Sequence, residues 1–377
     1  MAGVGLHPFG RFPDKTLRSM ASEAVVRALE DAGLGVKDVQ MAFFANSLGG
    51  LLSGQESLRG EVTLHDCGLA GIPIVNVENA CASGSSALWL AVRAVRSGEV
   101  NVAIAVGAEQ MYVGDTKRTL AALQTASDTE VTAGQGLQFV GLYAMRLQER
   151  INGGSLTPSH LARVTVKSKA CGAANPFAQF GRTMTEHEVL AARGVAGPLT
   201  LPMVAAISDG AAAVVLTSRP ISGRSAVVLA SVLGTGVVDG IGEPVVRRTV
   251  AQAYQEASLG PEDLGLAEVH DAVSPAELFR YEELGLCEVG EAAALLDSGA
   301  TAIGGRIPVN TSGGLASRGH PIGATGLAQI AEVVWQLRGE AGVRQVANCR
   351  VGMTQNSGGW VDGDAAVSCV HILAKNA

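Results

Sequence analysis

The sequence predicts an α/β protein made of two copies of one unit, with extra material in the first copy. Three observations carry that expectation. Strand-like and helix-like segments alternate along the chain. At 377 residues it exceeds one ordinary core. And it repeats itself in two places, in the same order.

The first repeat pairs "EDAGLGVKDVQMAFFANS" (Glu30–Ser47) with "QEASLGPEDLGLAEVHDAVS" (Gln255–Ser274). Leu34, Gly35 and Asp38 match Leu259, Gly260 and Asp263 at one constant offset. Each copy reads as the end of an amphipathic helix, a turn, then a strand over Met41–Ala45 or Leu266–Val269. The second repeat follows each. After "PIVNVENA" come Cys81, Gly84, small residues and Leu88; after "IPVNTSGGLASRG" come His320, Gly323, small residues and Leu327. Cys81 and His320 therefore take equivalent places, after a strand and just before an apolar helix.

This divides the chain into halves of roughly 1–225 and 226–377. The first half holds a more polar stretch, about 113–195, with Gly153-Gly154, "LTPSH" and "NPFAQF". It reads as an inserted loop domain over a site, leaving 1–112 and 196–225 as the half itself. A strand pattern resumes near Ala212.

Composition narrows the function classes. Apolar residues make up 47% and charged residues 17%, which is a buried globular chain rather than a disordered one. Net charge is −7, so neither a nucleic-acid footprint nor a polybasic membrane patch is expected. No run is long enough for a membrane span, and the start lacks a signal-peptide core. Six scattered cysteines form no CxxC pair. That argues against a zinc ribbon or a disulfide framework and fits a reducing cytoplasm; no metal is expected.

Four places can do chemistry. Cys81, at a helix start among Ala80, Ala82, Ser83 and Gly84, has room for a carbonyl. It also meets unpaired N–H groups, which predict a pKa lowered toward the thiolate. His320 stands in "SGGLASRGHPIGATG", where four glycines in eleven residues let backbone approach a ligand; its imidazole could take the Cys81 proton. His270 and Asp271 end a strand in "EVHDAVSP", with Asp271 able to orient an imidazole or cap the helix at Ser274–Glu277. "MTQNSGGW" reads as a glycine turn whose N–H groups supply an oxyanion donor.

Taken in order, "NACASGSSA", "SDGAAA", "HDAV", "GGLASRGHPIGATG" and "QNSGG" resemble the thiolase superfamily over essentially the whole chain. "HDAV", "NPFAQF" and "YEELGLC" resemble its sterol carrier protein-type members most. The resemblance implies a duplicated five-layer αβαβα fold with a loop domain, usually a dimer or tetramer. It implies that Cys81 is acylated and that His320 activates it. It implies an oxyanion hole from the N–H groups of Cys81 and Gly358, with His270 at the other thioester oxygen. Asp271 and Asn356 would support the site. Coenzyme A would be a co-substrate, its phosphates near Lys117, Arg118, Lys167, Lys169 and Arg182, with Ser312 and Gly313 beside it. Several relatives work with a small zinc-ribbon/OB-fold partner subunit.

The chain departs from the family in two places. Asn356-Ser357-Gly358 replaces the usual C-x-G motif, and Ala272 stands where sterol carrier-type thiolases can offer a cysteine. A degradative thiolase acting on a bulky 3-oxoacyl-CoA is the expected function. A β-ketoacyl synthase, a C-acyltransferase of the same fold, or a non-catalytic scaffold subunit stays open.

Overall fold

The computed structural model describes residues 1–132, 136, 138–219, 224–237 and 242–376, which include every candidate site residue. The strands used below are β1 (Gly3–Leu6), β2 (Met41–Ala45), β3 (Ile74–Val77), β4 (Val102–Glu109), β5 (Gly210–Thr217), β6 (Ala226–Thr235), β7 (Leu266–Glu268), β8 (Val351–Gly358) and β9 (Val367–Lys375).

The first sheet has the order β1-β5-β4-β2-β3 and the second β6-β9-β8-β7. Val309 bridges Ala267 in parallel beyond β7, where β3 stands in the first sheet. The pairings match step for step. β1–β5 and β5–β4 are antiparallel, as are β6–β9 and β9–β8; β4–β2 and β8–β7 are parallel. The Gly/Asp repeat is a structural device in both copies. Asp38 accepts a hydrogen bond from the Gly35 amide at 2.7 Å, and Asp263 accepts one from Gly260 at 2.8 Å. Each closes the short turn that feeds β2 or β7.

Helix α1 (Leu17–Ala32) covers the outer face of the first sheet, and α4 (Val245–Ala257) that of the second. Between the sheets lie α2 (Ser83–Arg96) and α6 (Ile322–Arg338), giving five layers, αβαβα. Position in the stack sets composition. α6 is buried along nearly all of its length, and Leu327, Ile330, Ala331 and Val334 pack with Leu88, Ala91 and Val92 of α2. The two helices touch through small residues: a Cβ on Gly84 would lie 2.7 Å from the Gly323 carbonyl oxygen, and one on Gly326 would lie 2.7 Å from the Ser85 nitrogen. Such an approach needs glycine.

Helix α3 (Phe139–Asn152), from the inserted stretch, lies over the cavity described next; α5 (Gly314–Arg318) precedes the His320 turn. Two local expectations change. The strand near Ala212 begins at Gly210, and Met353–Gly358 is strand β8, not a turn. β8 pairs with β9 along its whole length and with β7 at Gly352–Thr354, and Gly352 and Gly358 serve close packing; the turn comes after it, at Gly359 (φ +67°). No helix among the described residues is long and apolar enough to cross a membrane.

Candidate active site

Cys81 sits in a single 3-10 turn, Ala80–Ala82, that leads into α2. The turn is held tightly. Ala80 has φ +47°, a left-handed conformation that costs a non-glycine residue roughly 1–3 kcal/mol. Its amide donates to Glu78 at 2.8 Å, and its carbonyl accepts from Ser83 Oγ at 2.6 Å. Gly358, at the end of β8, presses against the same turn: a Cβ there would lie 2.8 Å from the Ala82 nitrogen and closer still to the Asn79 carbonyl oxygen.

The thiol of Cys81 and one ring nitrogen each of His270 and His320 lie within 4.8 Å of one another. The imidazoles meet edge to face, centroids 5.3 Å apart. The same three atoms form a soft-metal donor set, so they could also hold a zinc ion. His320 Nδ1 lies 2.7 Å from Thr325 Oγ1, whose own proton goes to the Pro321 carbonyl at 3.0 Å. Thr325 must therefore accept from the ring. The ring proton sits on Nδ1, and Nε2, buried without a hydrogen-bond partner, carries a lone pair. Burial, then Arg318, lowers the His320 pKa to about 3, so the ring is a neutral base. His270 is held the other way. The Asn356 amide nitrogen donates to its Nδ1 at 3.2 Å, placing the ring proton on Nε2. Burial, then His320 and Arg280, holds its pKa well below the usual value.

The thiol differs from expectation. Burial, then the Glu109 and Glu78 carboxylates, pushes the Cys81 pKa up to about 12. Desolvation of the charged form outweighs the helix start. Cys81 therefore rests as a thiol, with the neutral imidazole of His320 within 4.8 Å.

The cavity above these groups has a volume of about 460 Å³. Its wall is largely apolar, with Phe139, Val140 and Leu142 from α3 facing Val246 and Ala365. Ala272 lines it directly.

The supporting residues are placed as follows. Asp271 caps neither an imidazole nor the Ser274–Glu277 turn: its Oδ1 accepts from the Leu315 amide of α5 at 2.8 Å. Burial, then Glu277, raises its pKa well above the usual range. Lys167 pairs with Glu277 at 2.6 Å, and Lys169 donates to the Ala316 carbonyl at 2.7 Å. Ser312 binds both oxygens of Glu268, and the Gly313 carbonyl accepts from Ser168. All four make these contacts within the fold, and Lys167 also lines a second cavity. Lys117, Arg118 and Arg182 are exposed, Arg182 paired with Glu188 at 2.6 Å.

Two residues were missed by sequence reading. Glu109 ends β4 and gathers the amides of Ser47, Leu48 and Gly323 with the Asn46 side chain, all within 3.1 Å. It ties the Cys81 half to the first turn of α6. Its signal was a carboxylate closing the apolar run "VAIAVGAE". Thr325 could have been suspected from its place five residues past His320, on the same helix start.

A duplicated five-layer fold with a cysteine and two histidines converging at the starts of its central helices is the architecture of one class of acyl transferases. The chain belongs to the thiolase family: residues 4–220 match the thiolase N-terminal domain and residues 239–375 the thiolase C-terminal domain-like family. It is 41% identical to an acetyl-CoA acetyltransferase of Methanothermobacter thermautotrophicus, over 99% of this chain and 98% of that one. It is 38% identical to benzoylsuccinyl-CoA thiolase subunit BbsB of Thauera aromatica, over 95% and 94%. Rat sterol carrier protein 2 is 33% identical, over 95% of this chain and 69% of that protein. In fold it is similar to a structure described as an Ltp2-ChsH2(DUF35) aldolase, with a TM-score of 0.81 at 24% identity, covering 100% and 97%. The chain is thus an acyltransferase of the thiolase family with sterol carrier protein-type relatives.

Proposed function

We propose that this enzyme cleaves a 3-oxoacyl-CoA with coenzyme A through a thioester on Cys81. The observation that carries the reading is the meeting of a half-buried thiol with a neutral imidazole that has a free lone pair, in one largely apolar cavity.

His320 Nε2 takes the proton of the Cys81 thiol as sulfur attacks the 3-oxo carbon. Backbone N–H groups of Cys81 and Gly358 receive the oxyanion. The bond between carbons 2 and 3 then breaks, its electron pair going to carbon 2 as an enolate of the departing acyl-CoA. That carbon takes a proton. The CoA thiol next gives its proton to the group that protonated carbon 2, which restores it, and attacks the Cys81 thioester. The Cys81 sulfur leaves and takes back the proton held on His320, and two acyl-CoA products result. With Asn356 and Ala272 in the places of the family cysteines, the proton for carbon 2 comes from His270 Nε2 or a water bound to it. Asn356 serves by fixing that tautomer.

The apolar wall supports a bulky acyl group, branched, steroidal or aromatic. Residues 113–195 form the loop domain on 1–112 with 196–225, and 226–377 the second half. Lys117, Arg118 and Arg182 are the exposed cations for the CoA phosphates. A homodimer or tetramer with a small zinc-ribbon/OB-fold partner fits two relatives, one named as a subunit and one solved with a DUF35 protein. A lone, fully active homo-oligomer would remove the partner from this reading.

Intact-protein mass spectrometry after adding a panel of 3-oxoacyl-CoAs tests the chemistry. One acyl group should appear on wild type, be absent from Cys81→Ala, and be discharged by CoA. An acyl-enzyme that ignores CoA but transfers to a carbon acceptor would replace thiolysis with condensation or C-acyl transfer.

A further inference from the structure

One corner of the otherwise apolar cavity is set with hydrogen-bond donors. Tyr143, Arg146 and Arg280 all line it. Arg280 is 4% exposed; its Nε donates to the His270 carbonyl at 3.3 Å, and its Nη1 pairs with Glu283. Its Nη2 makes no hydrogen bond among the described residues. The Arg146 guanidinium lies over the Phe279 ring, 4.6 Å from the centroid, and 3.9 Å from Glu283. Among the described residues it makes no hydrogen bond, and neither does the Tyr143 hydroxyl.

Chemistry limits what such a corner can receive. A guanidinium only donates, and a neutral phenol is free to donate. Two arginine charges against the single Glu283 carboxylate leave one positive charge over. The other acid of the wall, Asp364, is engaged elsewhere, accepting from the Val245 amide at 2.8 Å and the Val237 amide at 3.4 Å beside the start of α4. A positive charge beside apolar surface is stabilised by one anion, and the arginine fork fits a carboxylate.

We propose that the carbon skeleton of the acyl group bears a carboxylate, which Arg146, Arg280 and Tyr143 receive while the apolar wall takes the rest. This rests on the thiolysis reading and narrows its substrate class to 3-oxoacyl-CoAs of dicarboxylic acids. An anionic group could also come from CoA itself. Its phosphates, however, lie a full pantetheine arm from its sulfur, whereas Arg280 is bonded to His270.

The test compares ligands that share CoA and differ only at the acyl end. On Cys81→Ala protein, calorimetry should find glutaryl-CoA bound about tenfold tighter than pentanoyl-CoA. Adding Arg146→Gln should bring that ratio close to one, with Arg146→Lys keeping part of it. With wild type, kcat/KM for 3-oxoadipyl-CoA should exceed that for 3-oxohexanoyl-CoA by about tenfold, mostly through KM, and Arg146→Gln should erase the difference. Should Arg146→Gln not fold, Tyr143→Phe removes one donor and should narrow the same ratio. Equal binding of the two acyl-CoAs would overturn the proposal. So would an equal loss for both in Arg146→Gln, which would assign the arginine to CoA. Thiolysis fails separately, if neither 3-oxoacyl-CoA is cleaved, because the binding ratio does not depend on turnover.

Discussion

The hydroxyl of Thr325 accepts the Nδ1 proton of His320 at 2.7 Å, and so decides which face of that ring is basic. One side chain in the first turns of α6 sets the lone pair beside Cys81. Thr325→Val keeps the shape and removes the acceptor, leaving a buried N–H without a partner. That costs about 1–3 kcal/mol, so kcat/KM should fall roughly 10–100-fold. Thr325→Ser should retain most activity. Equal rates for the valine and serine variants would show that the tautomer is set by something else.

Gly358 should be intolerant for a local reason. A methyl group there meets the Asn79 carbonyl and the Ala82 nitrogen on either side of Cys81. Gly358→Ala should lower kcat/KM by about 100-fold or more and cost about 1–3 kcal/mol of stability by overpacking. Gly194→Ala, where a Cβ meets nothing within 4 Å, is the control and should behave as wild type. Steady-state rates with denaturation midpoints would separate the two; a fully active Gly358→Ala would show that the turn can move aside.

Glu109 is a clamp between the halves. Burial raises its pKa to about 7, against the pull of the amides it accepts from. Glu109→Ala leaves three backbone N–H groups unpaired and Asn46 Nδ2 with only the Ala108 carbonyl, at about 1–3 kcal/mol for each buried donor that finds no water. Glu109→Gln keeps one acceptor oxygen and should lose less. Urea unfolding should rank wild type above glutamine above alanine, and an alanine variant as stable as wild type would remove the clamp.

The pH profile of stability should carry the mark of a buried histidine outside the site. His371 lies in β9 with Nδ1 3.0 Å from Ser231 Oγ, and burial, with Arg96 as a further cause, lowers its pKa to about 4. Between pH 6.5 and about 4 the unfolded chain binds a proton there that the folded chain refuses. Unfolding then becomes easier as pH falls, by up to about 1.4 kcal/mol per unit for this one group. His371→Gln should flatten that part of the profile relative to wild type, because the other buried groups cancel in the difference. Parallel profiles would show that His371 is charged in the folded protein.

How much of this was legible beforehand follows the range of the interaction involved. The Gly/Asp turns and the helix starts are local patterns, so the duplication and the placing of Cys81 and His320 could be read along the chain. Residues joined only by folding were not legible. Nothing near Glu109 in sequence names Gly323 as its partner, and nothing near Tyr143 names Arg280. The sign of the Cys81 shift was lost for a related reason. A helix start is visible in sequence, but the depth of burial that outweighs it is not. Lys167 and Lys169 read as free cations because the carboxylate and carbonyl that engage them come from the other half.

The contact of α2 with α6 through Gly84 and Gly323 has a further meaning. Two alike copies offer two alike places for a site. Among the described residues one cluster forms instead, because the equivalent position carries a cysteine in the first copy and a histidine in the second. The glycine seam where their central helices touch is therefore also what brings Cys81 of one copy within reach of His320 of the other.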